Sequence, residues 1–361
     1  MLFSFKQKSQ DFIVEEELPF KLSGKGDAFF VYFEKRNVTT MEIIDFLCKR
    51  FNLSRLTLGI AGLKDKDAVT RQRISIYKSA VKKLGGENEF LNALAEYARI
   101  MKTDWNDKPI GMTSDITNTF HIRLRATKKL SQTEKQKTEK IITQLFDNGV
   151  PNIFGKQRFG IESRNPKLGK DILEGKLKIH EKFEAKFKLQ AYASRLFNEY
   201  VAWRTKKEPK MLDGDILQMD ETGQKKLFVY NQAKNTLQEI KARRTSNDAF
   251  CSPQTMGEPI PYTQESTAEI TGPVIGFNLL MPTPTSEAGQ KEQKFLEIHG
   301  ISKNKLKPFS DYKIFGIRRK IWIRPQKTKY NFDGDDLMVK FTLGAGEYAS
   351  ILIDDLLKKL G

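Results

Sequence analysis

Strand-like segments stand at both ends of this chain, and a basic, helix-patterned stretch followed by a proline-rich one separates them. Near the start, residues 11–20 (Asp-Phe-Ile-Val-Glu-Glu-Glu-Leu-Pro-Phe) read as a strand entering a turn, and residues 28–33 (Ala-Phe-Phe-Val-Tyr-Phe) as an aromatic strand. Residues 56–63 read as a buried strand, 73–77 as its continuation, and 121–125 (His-Ile-Arg-Leu-Arg) as a half-buried strand with one basic face. At the other end, residues 320–324 alternate and residues 337–343 form a further strand. Unpaired strands are costly, so the closing strands are expected to return to a sheet begun at the opening. Helices are expected from Thr39 or Thr40 to about Phe51, from Ser131 to about Asn148, where Ser131 and Glu134 have capping-box spacing, and over 349–360. Residues 91–101 fit either a short helix or a strand. The pattern predicts an antiparallel-rich α+β domain made of both ends of the chain, with a helical insertion between.

The middle differs in composition. Residues 121–210 hold 22 Lys and Arg against 10 Asp and Glu, and 161 to about 210 is helical in pattern. Residues 244–290 are rich in Pro, Ser, Thr and Gly, yet Gly276-Phe-Asn-Leu-Leu-Met281 is too apolar for a solvated linker, so an ordered, loop-rich unit is expected there. A chain of 361 residues suits two cores better than one. No internal repeat is visible.

The formal net charge is +17, which points to a polyanionic partner, nucleic acid first among them. The two cysteines, Cys48 and Cys251, make neither a disulfide framework nor a zinc site and fit a reducing cytosol, so a cytoplasmic protein is expected. The three histidines are scattered, and no His, Cys and carboxylate spacing suggests a metal. No apolar run approaches the roughly 20 residues that span a bilayer, so no membrane association is expected.

Residues 61–72, Ala-Gly-Leu-Lys-Asp-Lys-Asp-Ala-Val-Thr-Arg-Gln, place Asp65 between Lys64 and Lys66 at the end of an apolar run. A carboxylate at a strand mouth can act as a nucleophile, and flanking lysines would keep it ionised and attract an anionic substrate. Residue type alone equally allows an exposed turn aspartate. The neighbouring Asp67 reads as an exposed cap or turn residue.

This stretch resembles the Gly-x-Lys-Asp-[Lys/Arg]-x-Ala-x-Thr-x-Gln signature of the TruD-type tRNA pseudouridine synthases. Asp11-Phe-Ile-Val-Glu-Glu16 resembles the opening segment of that family, with Lys6 at its upstream lysine. Asn118-Thr-Phe120 resembles its Asn-x-Phe element. Val150-Pro-Asn-Ile-Phe-Gly-Lys-Gln-Arg-Phe-Gly160 resembles its Val-Pro-Asn-Tyr-Phe-Gly-x-Gln-Arg-Phe-Gly block, with Ile153 for Tyr. Gly316-Ile-Arg-Arg319 and Gly344-Ala-Gly-Glu-Tyr-Ala349 resemble its closing elements. The matches run in order from Lys6 to the last helix.

The resemblance implies an α+β fold: a catalytic domain of about 1–154 and 315–361 with a mixed, mostly antiparallel sheet, and a family-specific inserted domain of about 155–314, with RNA in the cleft between them. It implies conversion of a uridine in tRNA, at position 13 in the D arm, to pseudouridine without a cofactor. Asp65 would attack the ribose or remove its C2′ proton. Phe120 would stack on the flipped uracil, Asn118 would hold its edge or the Asp65 loop, and Phe12 and Tyr348 would wall the pocket. Lys6 would pair with Asp65. Arg158, Arg318 and Arg319 would contact backbone phosphate or support the floor of the site. Each aromatic also suits an ordinary core position. A non-catalytic RNA-binding module would have no use for a carboxylate amid phosphates, and a metal nuclease would want carboxylate or histidine pairs that are not evident. A monomer is expected, since the chain supplies both walls of its own cleft.

Overall fold

The computed structural model describes the chain apart from residues 65, 112–115, 206–208, 222–223, 244–248 and 264–265. Among the described residues, strands from both ends of the chain meet in one nine-stranded sheet. Its main path runs Gln326–Asp333, Asp336–Leu343, Thr117–Ala126, Phe12–Glu17, Val69–Tyr77, Ala28–Lys35, Ala98–Asn106. Phe12–Glu17 and Val69–Tyr77 pair in parallel, and the other neighbours on this path are antiparallel. The mixed, mostly antiparallel sheet expected of an α+β protein is therefore present.

Two apolar layers cover one face of this sheet. Gln132–Asn148 and Ala349–Leu360 pack Ile142, Leu145, Leu352, Ile353 and Leu356 against Phe120, Phe341 and Val14. Thr40–Phe51 and Glu87–Ala95 bury Ile43, Leu47, Phe90 and Leu94 against Phe29, Val31 and Phe33. Local chemistry fixes where these helices begin. Thr39 and Ser131 accept hydrogen bonds from the backbone N–H of Glu42 and Glu134, whose carboxylates reach back to the cap N–H. Gly149, at φ +70°, stops the second of these helices, and a Cβ there would lie 2.2 Å from the Ile323 carbonyl oxygen.

The middle of the chain builds a seven-stranded sheet in the order Leu279–Leu280, Phe250–Pro261, Thr236–Arg243, Gln224–Asn231, Ile216–Glu221, Glu269–Val274, Ile317–Lys320. Helices Lys182–Arg204 and Glu287–Ile298 supply its core with Leu189, Phe197, Tyr200, Phe295 and Leu296. Val150–Pro151 and Trp322–Ile323 pair in a small two-stranded ladder.

Three local expectations change. Residues 56–63 hold only the two-residue strand Leu58–Gly59 after a 3-10 turn, Arg55–Thr57. The cause is close approach: Gly59 lies where a Cβ would stand 2.2 Å from the Ile110 carbonyl oxygen, and Leu56 faces solvent. Residues 91–101 hold the end of a helix, Glu87–Ala95, and the start of a strand, Ala98–Asn106. The alternating 320–324 segment is split, with Lys320 ending a strand of the second sheet and Trp322 opening the small ladder.

Candidate active site

Strand register brings the aromatic candidates together. Phe12, Val14 and Glu16 alternate onto the covered face of their strand, opposite Ile122, Phe120 and Asn118. Phe341 and Leu343 continue the same rows on the far side of Phe120 and Asn118. The Phe12 and Phe120 rings lie 5.8 Å apart and tilted, and Phe120 stacks on Phe341 at 5.4 Å. Lys6, held at φ +57°, places its Nζ 4.1 Å from the Phe12 ring centre, within cation–π range. Phe12 and Phe120 are only 5 % and 8 % exposed, so both rings are also core residues. One row along, Asn118 carries a buried Oδ1 with no hydrogen-bond partner among the described residues. A buried acceptor left unmatched is costly, and such atoms occur where a ligand completes the set.

Lys64 is nearly buried and seated from two sides. Its Nζ lies 3.6 Å from Glu16 Oε2, and its backbone N–H donates to Thr40 Oγ1 at 3.1 Å. Thr40 is in turn hydrogen-bonded to the Gln72 side chain at 3.2 Å. Burial pushes the Glu16 carboxyl above its usual range, against the pull of Lys64 and Arg73, while the Arg73 backbone N–H donates to Glu16 Oε1 at 3.1 Å. Glu16 thus links Lys64 to the strand that faces Asn118. Asp65, the expected nucleophile, lies outside the described residues. Asp67 is exposed, as a turn residue would be, and Lys66 makes an exposed ion pair with Glu42 at 3.8 Å.

Arg158, Arg319 and Tyr348 gather in a second cluster around Phe154. The Arg319 guanidinium sits 4.1 Å over the Phe154 ring and 5.5 Å from that of Tyr348, and it donates to Asn152 Oδ1 at 2.6 Å. Burial pulls Arg319 down to about 10, so it stays cationic at neutral pH. Its Nε, also buried, has no partner among the described residues. Arg158 donates to Ser194 Oγ at 3.1 Å and lies 5.9 Å over Phe154. A cavity of about 790 Å³ is lined by Phe154, Arg158, Phe187 and the 41 % exposed Tyr348. Phe154, Phe187 and Tyr348 give it aromatic lining suited to a planar guest, and its charged lining is mixed, with Lys156, Arg158 and Lys358 beside Asp354 and Asp355.

Arg318 does not join them. Neighbouring strand residues face opposite ways, and Arg318 points into the second core, where it donates to both Glu292 carboxylate oxygens at 2.8 and 2.7 Å and to Thr271. Sequence reading misses Glu16, Thr40 and Gln72. For Glu16 a signal exists: the alternation that buries Phe12 and Val14 puts a carboxylate on the same covered face. Among the described residues no group of three or more His, Cys, Asp or Glu could hold a metal ion, and no helix is long and apolar enough to cross a membrane.

The family model described as tRNA pseudouridine synthase D (TruD) matches residues 3–183 and 178–356 of this chain. The tRNA pseudouridine synthases D of a Nitratiruptor species and of Wolinella succinogenes are each 28% identical, with 98% of this chain and 94% of the relative covered. A crystal structure of a Methanosarcina mazei protein assigned to TruD superposes with a TM-score of 0.63 over 99% of this chain and 93% of that one. At 19% identity that likeness speaks for the fold alone. With the family model spanning nearly the whole length, this chain belongs to the tRNA pseudouridine synthase D (TruD) family.

Proposed function

We propose that this protein is a tRNA pseudouridine synthase that isomerises a uridine of the D arm, at position 13, with Asp65 as the reacting carboxylate. The observation that carries the reading is the family match over residues 3–183 and 178–356, which takes in every signature segment of the chain. The geometry around the Lys-Asp turn supports it. Lys64, the residue before Asp65 in the sequence, is anchored through Glu16 and Thr40.

In the reaction the N1–C1′ bond of uridine breaks, the uracil turns, and a C5–C1′ bond forms. The C5 proton is lost and N1 gains one, with no net redox change. Asp65 either attacks C1′ and later leaves, or takes the C2′ proton and returns it. Phe120 and Phe12 form the apolar wall of the site that receives the extruded base, and Asn118 Oδ1 accepts a hydrogen bond from its N3–H. Lys6 and Lys64 are the cations assigned to keep that carboxylate ionised. Arg158, Arg319 and Tyr348 receive a neighbouring nucleotide, while Arg318 holds the second core together. Catalysis needs no cofactor and no metal, because bond breaking is balanced by bond making on the same base.

We further propose the division into a catalytic domain of about 1–154 and 315–361 and an inserted domain of about 155–314, with the strand Ile317–Lys320 crossing over to complete the sheet of the insertion, acting as a monomer in the cytoplasm. The test of the function is carbodiimide mapping of pseudouridine in an unmodified tRNA transcript after incubation with the protein. A new stop at the D-arm uridine is expected. A stop elsewhere would displace the assigned position, and the absence of any stop would remove the activity.

A further inference from the structure

Immediately after the aromatic and arginine cluster the backbone does something it does nowhere else among the described residues. Gly160, Glu162 and Ser163 stand at φ +74°, +53° and +54°, and Glu162–Ser163 is the one adjacent pair of non-glycine residues in the left-handed region. Such residues are uncommon singly and persist only when their surroundings fix them. The turn is closed by hydrogen bonds from Ser163 N–H to the Gly160 carbonyl at 3.1 Å and from Arg164 N–H to the Ile161 carbonyl at 3.3 Å, and Glu162 is ion-paired with Arg164. A Cβ at Gly160 would stand 2.3 Å from Asn165 Nδ2, so the entry to the turn is glycine-specific.

What this turn presents is an isoleucine. Ile161 is 89 % exposed at its tip. Exposure alone would mean little, since Leu56 is 90 % exposed in a 3-10 turn without a left-handed residue. Ile161 differs in its setting. Phe159, two residues before it, lines both the 790 Å³ cavity of Arg158 and Tyr348 and a separate groove of about 330 Å³ that Ser163 and Arg195 share, so the turn follows a residue common to two recesses. Lys156 and Arg164 are exposed on either side of it.

We propose that Ile161 is a wedge that enters the base stack of the bound RNA beside the extruded uridine and keeps the gap from closing. The inference rests on the base-extrusion reading above. Extruding a base costs stacking energy and leaves an apolar slot, and a branched aliphatic side chain on a rigid turn fills such a slot without adding a polar group that needs a partner. A long flexible side chain would lose entropy on entering, whereas Ile has few rotamers to lose.

The full chain is assayed by tritium release from 5-tritiated uridine in two substrates: folded tRNA, and a single-stranded oligonucleotide carrying the same target sequence. Ile161→Ala is expected to lower kcat/KM on the folded tRNA by about tenfold, in keeping with the stacking cost of extrusion, and to match wild type on the single strand. Ile161→Leu should restore most of the loss. A 2-aminopurine placed next to the target should brighten on binding wild type and not on binding Ile161→Ala. Equal activity of wild type and Ile161→Ala on folded tRNA would overturn the proposal, as would an equal loss on both substrates, which would mark a packing role. Silence of wild type on both substrates would instead sink the catalytic reading.

Discussion

Glu16 is a carboxylate on the covered face of a strand otherwise lined there by Phe12 and Val14, and it persists because Lys64 and the Arg73 backbone N–H compensate it. Removing its charge takes an anionic partner from the nearly buried Lys64 cation. Glu16→Gln should therefore cost roughly 1–3 kcal/mol of stability, within the range for breaking partly buried pairs. It should also slow turnover at least tenfold, through misplacement of the Lys64–Asp65 turn, by the steep dependence of rate on positioning. Adding Lys64→Met should recover stability, because the cation that lost Glu16 is gone, but not turnover. Thermal unfolding and tritium release on both variants separate the two effects. A fully active Glu16→Gln would mean that the turn is held by other contacts.

At the scale of elements, the second sheet is stitched by a buried ionic group. Arg204 pairs with Asp215 at 2.8 Å, and Arg318 with Glu292, whose carboxylate Tyr200 also reaches at 3.2 Å. Burial pushes the Asp215 carboxyl up from 3.8 to about 6 despite Arg204. The native state thus binds a proton more tightly than the unfolded chain between those values. Its contribution is fully present below pH 4 and is lost as pH rises through 6. Wild type should lose stability relative to Asp215→Asn from pH 4 to about pH 6.5, as read by chemical denaturation; a gap constant with pH would contradict it.

The opening and closing strands are legible in the sequence because one face is covered and the other is wetter, so their side chains alternate. The strands at 216–243 are not, since Lys, Gln and Asp interrupt their apolar positions. The proline-rich stretch at 244–290 reads as ordered but not as strand, although Phe250–Pro261 is twelve residues long. Most of that strand pairs on one side only and is exposed, and an edge is where Pro253, Pro259 and Pro261 are tolerated. In the site, motif residues lead to Phe12, Phe120 and Lys6 as a packed set. The destination of Arg318 is hidden because strand direction, not residue type, decides which of two adjacent arginines faces the core.

Over the whole molecule, +17 of net charge suits a polyanion as large as tRNA, and Lys178, Lys182 and Lys186, just before and within the first turns of the long helix, are one basic group that can meet it. Lys178→Glu, Lys182→Glu and Lys186→Glu together should weaken tRNA binding and reduce the slope of log affinity against log salt by about 2, by the counterion arithmetic. An unchanged slope would place the footprint elsewhere. The central claim, that Asp65 performs a cofactor-free isomerisation, is tested most directly by tritium release from 5-tritiated uridine in tRNA, with wild type and Asp65→Asn side by side in EDTA. Release by wild type and none by Asp65→Asn, with tRNA affinity equal for both, is the predicted result. Release by Asp65→Asn, or its loss from wild type when EDTA is added, would contradict the account.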